Sequence, residues 1–265
     1  LRRAPSRSSS PSCLQPPSAP CCFRRYRSAC SAQRYQKDEK DGSITRNNAD
    51  SEERNGQTTN ALAPVEVPGL TGAVDLVSTD LSTCALDASG GVKCWGTNDF
   101  GQLGNGSRVY SATPVQVTGL LSTNGVKVVD VASGSNFSNN RAFSCALLSN
   151  GAVKCWGDNS QGQLGSSLGA SSNVPVAVPG ITTATQVTAA VNQTCALNSD
   201  GSVLCWGQDY GSTPVAISGV PVLTQISTSG AHTCGVAADT GVWCWGSNTT
   251  GQFGNGYVGT SSNEP

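Results

Sequence analysis

Methionine is absent from this sequence, long apolar runs are absent too, and His232 is its single histidine. Because Leu1 stands where a start methionine would, the chain is expected to be a fragment, or a reading frame continued upstream of its true start. No basic stretch followed by an apolar one opens it, so no secretory leader is visible. No run is long enough to cross a bilayer, and membrane insertion is not expected. One histidine rules out a histidine cluster, and no carboxylate pair or Ser-His-Asp order stands in for one. Without a convergent acid, base and nucleophile the chain is expected not to be an enzyme, and no cofactor or metal site is expected.

Acidic residues are missing from Leu1 to Gln36, a stretch rich in Arg, Ser and Pro that holds Cys13, Cys21, Cys22 and Cys30. That composition is shared with organelle transit peptides, though a fragment or an extended frame explains it more simply. The four cysteines lack the spacing of a metal site and receive no role. From Lys37 to Asn60 the chain is polar and of mixed charge, too poor in apolar groups to offset its ordering entropy. Residues 1–63 are therefore expected to be disordered and 64–265 folded.

Basic residues are scarce in the folded part, where Lys93, Arg108, Lys127, Arg141 and Lys154 face eleven acidic residues. An excess of six negative charges repels phosphate backbones. With no basic stripe or alternation of Arg and aromatics, nucleic acid is not an expected partner.

What is present is repetition. Four segments, 64–113, 114–174, 175–213 and 214–264, start with Pro-Val and carry a Cys, then Cys-Trp-Gly; Pro265 would open a fifth. In the first, Val65 to Val67, Val74 to Ser78, Ser82 to Leu86 and Val92 to Gly96 read as four short strands between Gly, Asp and Ser clusters. One four-stranded antiparallel sheet per repeat of roughly fifty residues is a propeller blade. The fold class is all-β, a β-propeller of four-stranded blades.

Cys84 and Cys94, Cys145 and Cys155, Cys195 and Cys205, and Cys234 and Cys244 share one spacing, each pair flanking a turn with glycine. A hairpin symmetric about that turn sets its cysteines face to face, within disulfide reach. Four intrablade disulfides are the reading, each contributing about 2 to 3 kcal/mol. Zinc, which needs close pairs gathered in fours, and buried free thiols are the competing readings. Disulfides imply an oxidising compartment, and sequons at Asn105, Asn136, Asn192 and Asn248 suit secretion in a host that glycosylates. The loops Gly101 to Gly104, Gly162 to Gly165 and Gly251 to Gly254 read as tight turns whose Leu or Phe plugs a gap between blades, since no helix follows to make a phosphate site. Trp95, Trp156, Trp206 and Trp245 recur with the blade and read as packing.

Pro-Val-x-Val, Cys-Ala-Leu, a glycine turn, Val-x-Cys-Trp-Gly-x-Asn and Gly-Gln-Leu-Gly-x-Gly together closely resemble the repeat of the regulator of chromosome condensation family, above all its cysteine-bearing bacterial and secreted members. The resemblance covers Pro64 to Pro265. It implies a seven-bladed propeller, of which four repeats are an incomplete part. It also implies two kinds of activity, guanine-nucleotide exchange on a small GTPase by a nuclear member and inhibitor binding to β-lactamases by a secreted one. The third repeat departs by lacking the Gly-Gln-Leu-Gly loop, and the second by an insertion around Leu121 to Ala142. Of the histidines the family often places two residues before the first cysteine, only His232 remains, beside Ser82, Phe143 and Gln193. A structural hydrogen bond is the expectation for it.

A non-catalytic, protein-binding scaffold at the cell surface or outside the cell is the expected function. The alternative is the exchange factor, cytoplasmic or nuclear. Binding residues concentrate in irregular loops on a rigid frame. The candidates are Phe137, Asn139, Asn140, Arg141 and Phe143 of the insertion and Tyr210 of the shortened repeat, for an unidentified protein partner.

Overall fold

The computed structural model describes residues 63–120, 125–136, 140–169 and 171–259. The chain divides into two units between Thr45 and Arg46. The first unit, the four N-terminal cysteines and all but Ala63 of the segment expected to be disordered lie outside the described residues.

Short runs of β-branched and small residues, punctuated by glycine, form strands and, among the described residues, no helix. The first sheet holds β1 (Ala73–Ser78), β2 (Ser82–Asp87), β3 (Val92–Gly96) and β4 (Ser111–Gln116) in chain order. The second holds β5 (Val128–Asn136), β6 (Arg141–Leu148), β7 (Val153–Gly157) and β8 (Ser172–Ala177). In the third are β9 (Ala184–Ala190), β10 (Gln193–Asn198), β11 (Val203–Gly207) and β12 (Gly211–Ala216). The fourth has β13 (Leu223–Ser229), β14 (His232–Ala237) and β15 (Val242–Gly246), three strands among the described residues. All pairings are antiparallel.

The blade frame differs from the sequence frame. Val65 to Val67, expected as the first strand, are in no strand, and each complete sheet is closed by the Pro-Val of the following repeat. Pro114 lies in β4, Pro175 in β8 and Pro214 in β12. The reason is elementary: proline has no N–H for a ladder and is tolerated on an outer edge strand, not as a partner on both sides. Pro64 to Leu70 takes the place such a strand would hold in a preceding blade. Lys93 Nζ donates to Gly69 O at 3.2 Å, as Lys154 Nζ donates to Gly119 O at 3.0 Å.

Each hairpin sets its cysteines directly opposite one another. All four expected disulfides are present, with Cα separations of 4.0 to 4.1 Å. They define one face of each blade, and the tryptophan defines the other. The cysteine face of the first sheet, with Leu86, Val92 and Leu103, packs on Val131, Ala146 and Trp156 of the second. The second packs likewise on Val187, Ala196 and Trp206, and the third on Leu223, Ile226 and Trp245.

Among the described residues the outer faces of the first and fourth sheets meet no such neighbour. Val92, Val153 and Val203 are at most 1% exposed, whereas their counterpart Val242 is 67% exposed. At the other end Leu76 is 52% exposed, against 5% or less for Val131, Val187 and Ile226. Val65 and Trp243 are exposed, while Val67 and Val236 are half-buried.

Candidate partner-binding face

Antiparallel order decides which loops meet. The turns joining the first and second strands of the sheets and the long loops that follow their third strands share one side of the blades; the Asp-Gly turns lie on the other. On that second side the carboxylates serve the backbone. Asp87 Oδ1 accepts from Ser89 N at 2.8 Å and Gly91 N at 3.0 Å, and Asp200 Oδ1 accepts from Ser202 N at 2.9 Å. These bonds favour the ionised form, and the Asp87 and Asp200 carboxyls titrate below their ordinary range, their hydroxyl partners Ser89 and Ser202 contributing most.

The long loops are built by a buried asparagine. Asn98, Asn159 and Asn248 stand two residues after the glycine of Cys-Trp-Gly. Their Oδ1 atoms accept from Leu103 N at 2.9 Å, Leu164 N at 2.9 Å and Phe253 N at 3.0 Å. Their Nδ2 groups donate to the carbonyls of Val109, Leu168 and Tyr257. One side chain thus ties both ends of each loop. Leu103 and Leu164 are fully buried plugs, and the next blade's tryptophan donates to the loop, Trp156 Nε1 to Gln102 O at 3.0 Å and Trp206 Nε1 to Gln163 O at 2.9 Å.

The third sheet has no such loop, and Tyr210 fills in. It is half-buried against the cluster containing Trp245, whose indole N–H is buried without a hydrogen-bond partner among the described residues. Burial and the Asp209 charge push the Tyr210 hydroxyl up to about 12. Gln193 Nε2 meanwhile donates to Thr233 Oγ1 of the next blade at 3.1 Å.

The insertion lengthens a hairpin. β5 has 9 residues and β6 has 8, against 6 each in β1 and β2. Arg141 Nη1 donates to buried Asp158 at 3.0 Å while its guanidinium lies 4.8 Å from the Phe100 ring centroid. Ser135 Oγ donates to Asp80 Oδ2 at 2.7 Å, so the hairpin ties loops of the first two blades together. Asp80, half-buried, is raised above the usual carboxylate range by that burial.

Of the candidate contact residues, Phe137 and Asn139 lie outside the described residues. Asn140 is exposed at the hairpin tip with φ +53°, and Arg141 is half-buried beside it. Phe143 is a correction. It is fully buried in the core between the second and third blades, because it faces the same way along β6 as Cys145, two residues on, and its ring fills the space over Gly134. A residue so placed packs and does not meet a partner. His232 is a second correction: it is half-buried and makes no side-chain hydrogen bond to the described residues.

Burial lowers the His232 pKa, since the neutral ring is favoured where water is excluded. The unfolded chain then binds its proton more readily, so this contribution to stability is full above the ordinary histidine value and is lost as pH falls toward the folded one. Because the chain has one histidine, its imidazole proton shift gives the curve directly. The expected midpoint lies below about 6.5.

Missed by sequence reasoning was a set of exposed apolar side chains on the loop side. Val109, Tyr110, Leu168, Tyr257 and Val258 are all more than half exposed, and three of them, Val109, Leu168 and Tyr257, occupy the position clasped by the buried asparagine. Among the described residues no group of three His, Cys, Asp or Glu is placed to hold a metal ion.

The Regulator of chromosome condensation (RCC1) repeat matches residues 89–139 and 150–197 in one form and residues 74–102, 128–163 and 223–252 in another, together more than half of the chain. The E3 ubiquitin-protein ligase HERC2 of Homo sapiens is 41% identical over 83 residues, which are 31% of this chain and 2% of HERC2, and HERC2 of Mus musculus matches equally. Human WBSCR16 superposes with a TM-score of 0.66 at 20% identity, over 82% of this chain and 62% of that one. The structure of Kap60 bound to yeast RCC1 (Prp20) gives 0.67 at 20% identity, over 87% and 55%. The chain spans a small part of the ubiquitin ligase and less than two thirds of either structural neighbour.

Proposed function

Because the chain belongs to the regulator of chromosome condensation (RCC1) repeat family, we propose that it is a non-catalytic recognition scaffold of an oxidising, extracellular or cell-surface compartment, holding a protein partner on its loop face. The set of exposed apolar side chains, Val109, Tyr110, Leu168, Tyr257 and Val258, carries this reading. Loops on a stapled frame concentrate binding residues, and exposed apolar side chains repeated on one side of the blades offer contact surface to a partner. The opposite side offers mainly self-capped turns. Asn140 and Arg141 stand on the same loop face, and Tyr210 is a third, half-buried contributor. The four disulfides support the compartment, since such bonds persist where thiols are not kept reduced.

The test is capture with the oxidised full chain as bait, beside a Tyr110→Ser/Tyr257→Ser variant and an opposite-side control, Ser199→Lys. Loop-face changes are expected to weaken retention of a captured protein at least about tenfold while the control leaves it unchanged. Equal retention by all three baits would discard the loop face. Free thiols at the eight repeat cysteines of protein taken from its source under thiol blocking would discard the compartment and fit the intracellular exchange-factor reading.

A further inference from the structure

Asn105, Asn136, Asn192 and Asn248 each open an Asn-x-Ser or Asn-x-Thr triplet, and the structure separates them by what their amides do. Asn248 is 1% exposed. Its Nδ2 donates to Tyr257 O at 3.0 Å and its Oδ1 accepts from Phe253 N at 3.0 Å, the loop clamp already described. Asn192 is 7% exposed and its Nδ2 donates to Gln208 Oε1 at 3.0 Å. In both, the nitrogen a sugar would have to join is enclosed and engaged. The triplet of Asn136 runs into residues outside the described ones.

Asn105 differs. Its Oδ1 accepts from Ser107 N at 3.1 Å and from Ser107 Oγ at 3.0 Å, with Asn98 Nδ2 a third donor at 3.3 Å. All three bonds fall on the oxygen, and the Nδ2 donates to none of the described residues. Around it the loop is open: Gly106 is exposed, and a Cβ added there would meet nothing within 4 Å. The hydroxyl of the triplet's third residue is thus already turned onto the acceptor amide, while the nucleophilic nitrogen of half-buried Asn105 is engaged by none of the described residues.

We infer that Asn105 is an N-linked glycosylation site of this chain, its donor an oligosaccharide carried on a lipid pyrophosphate. In that transfer Nδ2 forms a bond to the anomeric carbon as the bond from that carbon to the pyrophosphate oxygen breaks. The nitrogen gives up one proton, and the lipid pyrophosphate leaves with the electron pair. The glycan then stands on the loop face at the first blade, beside Val109 and Tyr110. The inference rests on the extracellular reading above, and its test is arranged so that the two fail separately.

The full chain, carrying Asn136→Gln, is directed into the secretory lumen of a glycosylating eukaryotic host by an added leader, so the outcome does not depend on where the native protein resides. Secreted, oxidised protein is treated with peptide N-glycosidase in heavy-oxygen water and mapped by mass. Occupancy at Asn105 is expected at least about tenfold above that at Asn192 or Asn248. Asn105→Gln, and separately Ser107→Ala, which keeps the amide, should each remove the glycan while the four disulfides map unchanged. Secreted protein unmodified at Asn105, or bearing comparable glycan on Asn192 or Asn248, overturns the assignment.

Discussion

Mild reduction of this 265-residue chain is expected to open the Cys234–Cys244 bond first, at least about tenfold faster than the other three. Thiol and phosphine reagents need a path to sulfur. Cys84, Cys94, Cys145, Cys155, Cys195 and Cys205 are at most 2% exposed, each pair covered by the tryptophan face of the next blade. Cys234 and Cys244 are only half-buried, because among the described residues no blade covers theirs. The inner bonds should therefore react only through local opening of an interface. Each closes the same short loop and, in the chain-entropy account, contributes about 3 kcal/mol. Replacing Cys145 and Cys155 together by Ala should cost more than that, since the loss of sulfur also leaves a gap between packed sheets. The same exchange at Cys234 and Cys244 should cost less. Timed alkylation with peptide mapping gives the order of opening, and urea melts of the two double variants give the costs. Equal labelling of all four pairs would mean that the blades do not cover one another as described.

The hairpins were legible because two local signals agree: cysteines at one spacing and a glycine turn between them. The blade frame was not, because the outer strand bonds backward to the sheet before it. Only the edge preference of Pro114, Pro175 and Pro214 could have shown this. The loop clamp was half legible. Asn98, Asn159 and Asn248 stand at one place in the three repeats that have the Gly-Gln-Leu or Gly-Gln-Phe loop, and Asp209 replaces them in the repeat that lacks it. Co-occurrence of residue and loop was the available signal. It also explains why Asn248 reads as a sequon yet is fully committed.

Phe143 was misread because it sits in an irregular insertion, where alternation is hard to anchor. Its two-residue offset from Cys145 was the better guide. The exposed apolar set could not be read from sequence, because whether Val109 or Tyr257 points inward depends on which carbonyl the buried asparagine grips. For the same reason Tyr210 looked like a free loop residue, when deletion of the loop had drawn it into the gap against the fourth blade.

Gly157→Ala is expected to destabilise the protein by about 4 kcal/mol, more than any single surface change. The glycine of Cys-Trp-Gly ends the third strand of each blade at φ between 99° and 117° at Gly96, Gly157, Gly207 and Gly246. On the β8 side the register shifts, Cys155 pairing with Val176 and Gly157 with Ser172, so that Asn173 to Pro175 bulge opposite Trp156; on the β6 side Trp156 pairs regularly with Ser144 and Gly157 with Phe143. Positive φ alone strains any other residue, but at Gly157 there is no room either. An added Cβ would lie 2.6 Å from Ala142 O and 2.7 Å from Phe143 Cα, both backbone of the paired strand, which cannot swing aside as a side chain would. Relief would require pulling β6 from β7, and with it Trp156 from the interface and the bond from its Nε1 to Gln102 O. Gly180→Ala separates the two causes. Gly180 has φ +79° and open space where the Cβ would fall, so its cost should be strain alone, about 1 kcal/mol. Urea midpoints of the oxidised variants at constant m give both numbers. If they coincide, the close approach of β6 and β7 at Gly157 does not hold the tryptophan in the way the geometry requires, and the packing of one blade on the next rests on something else.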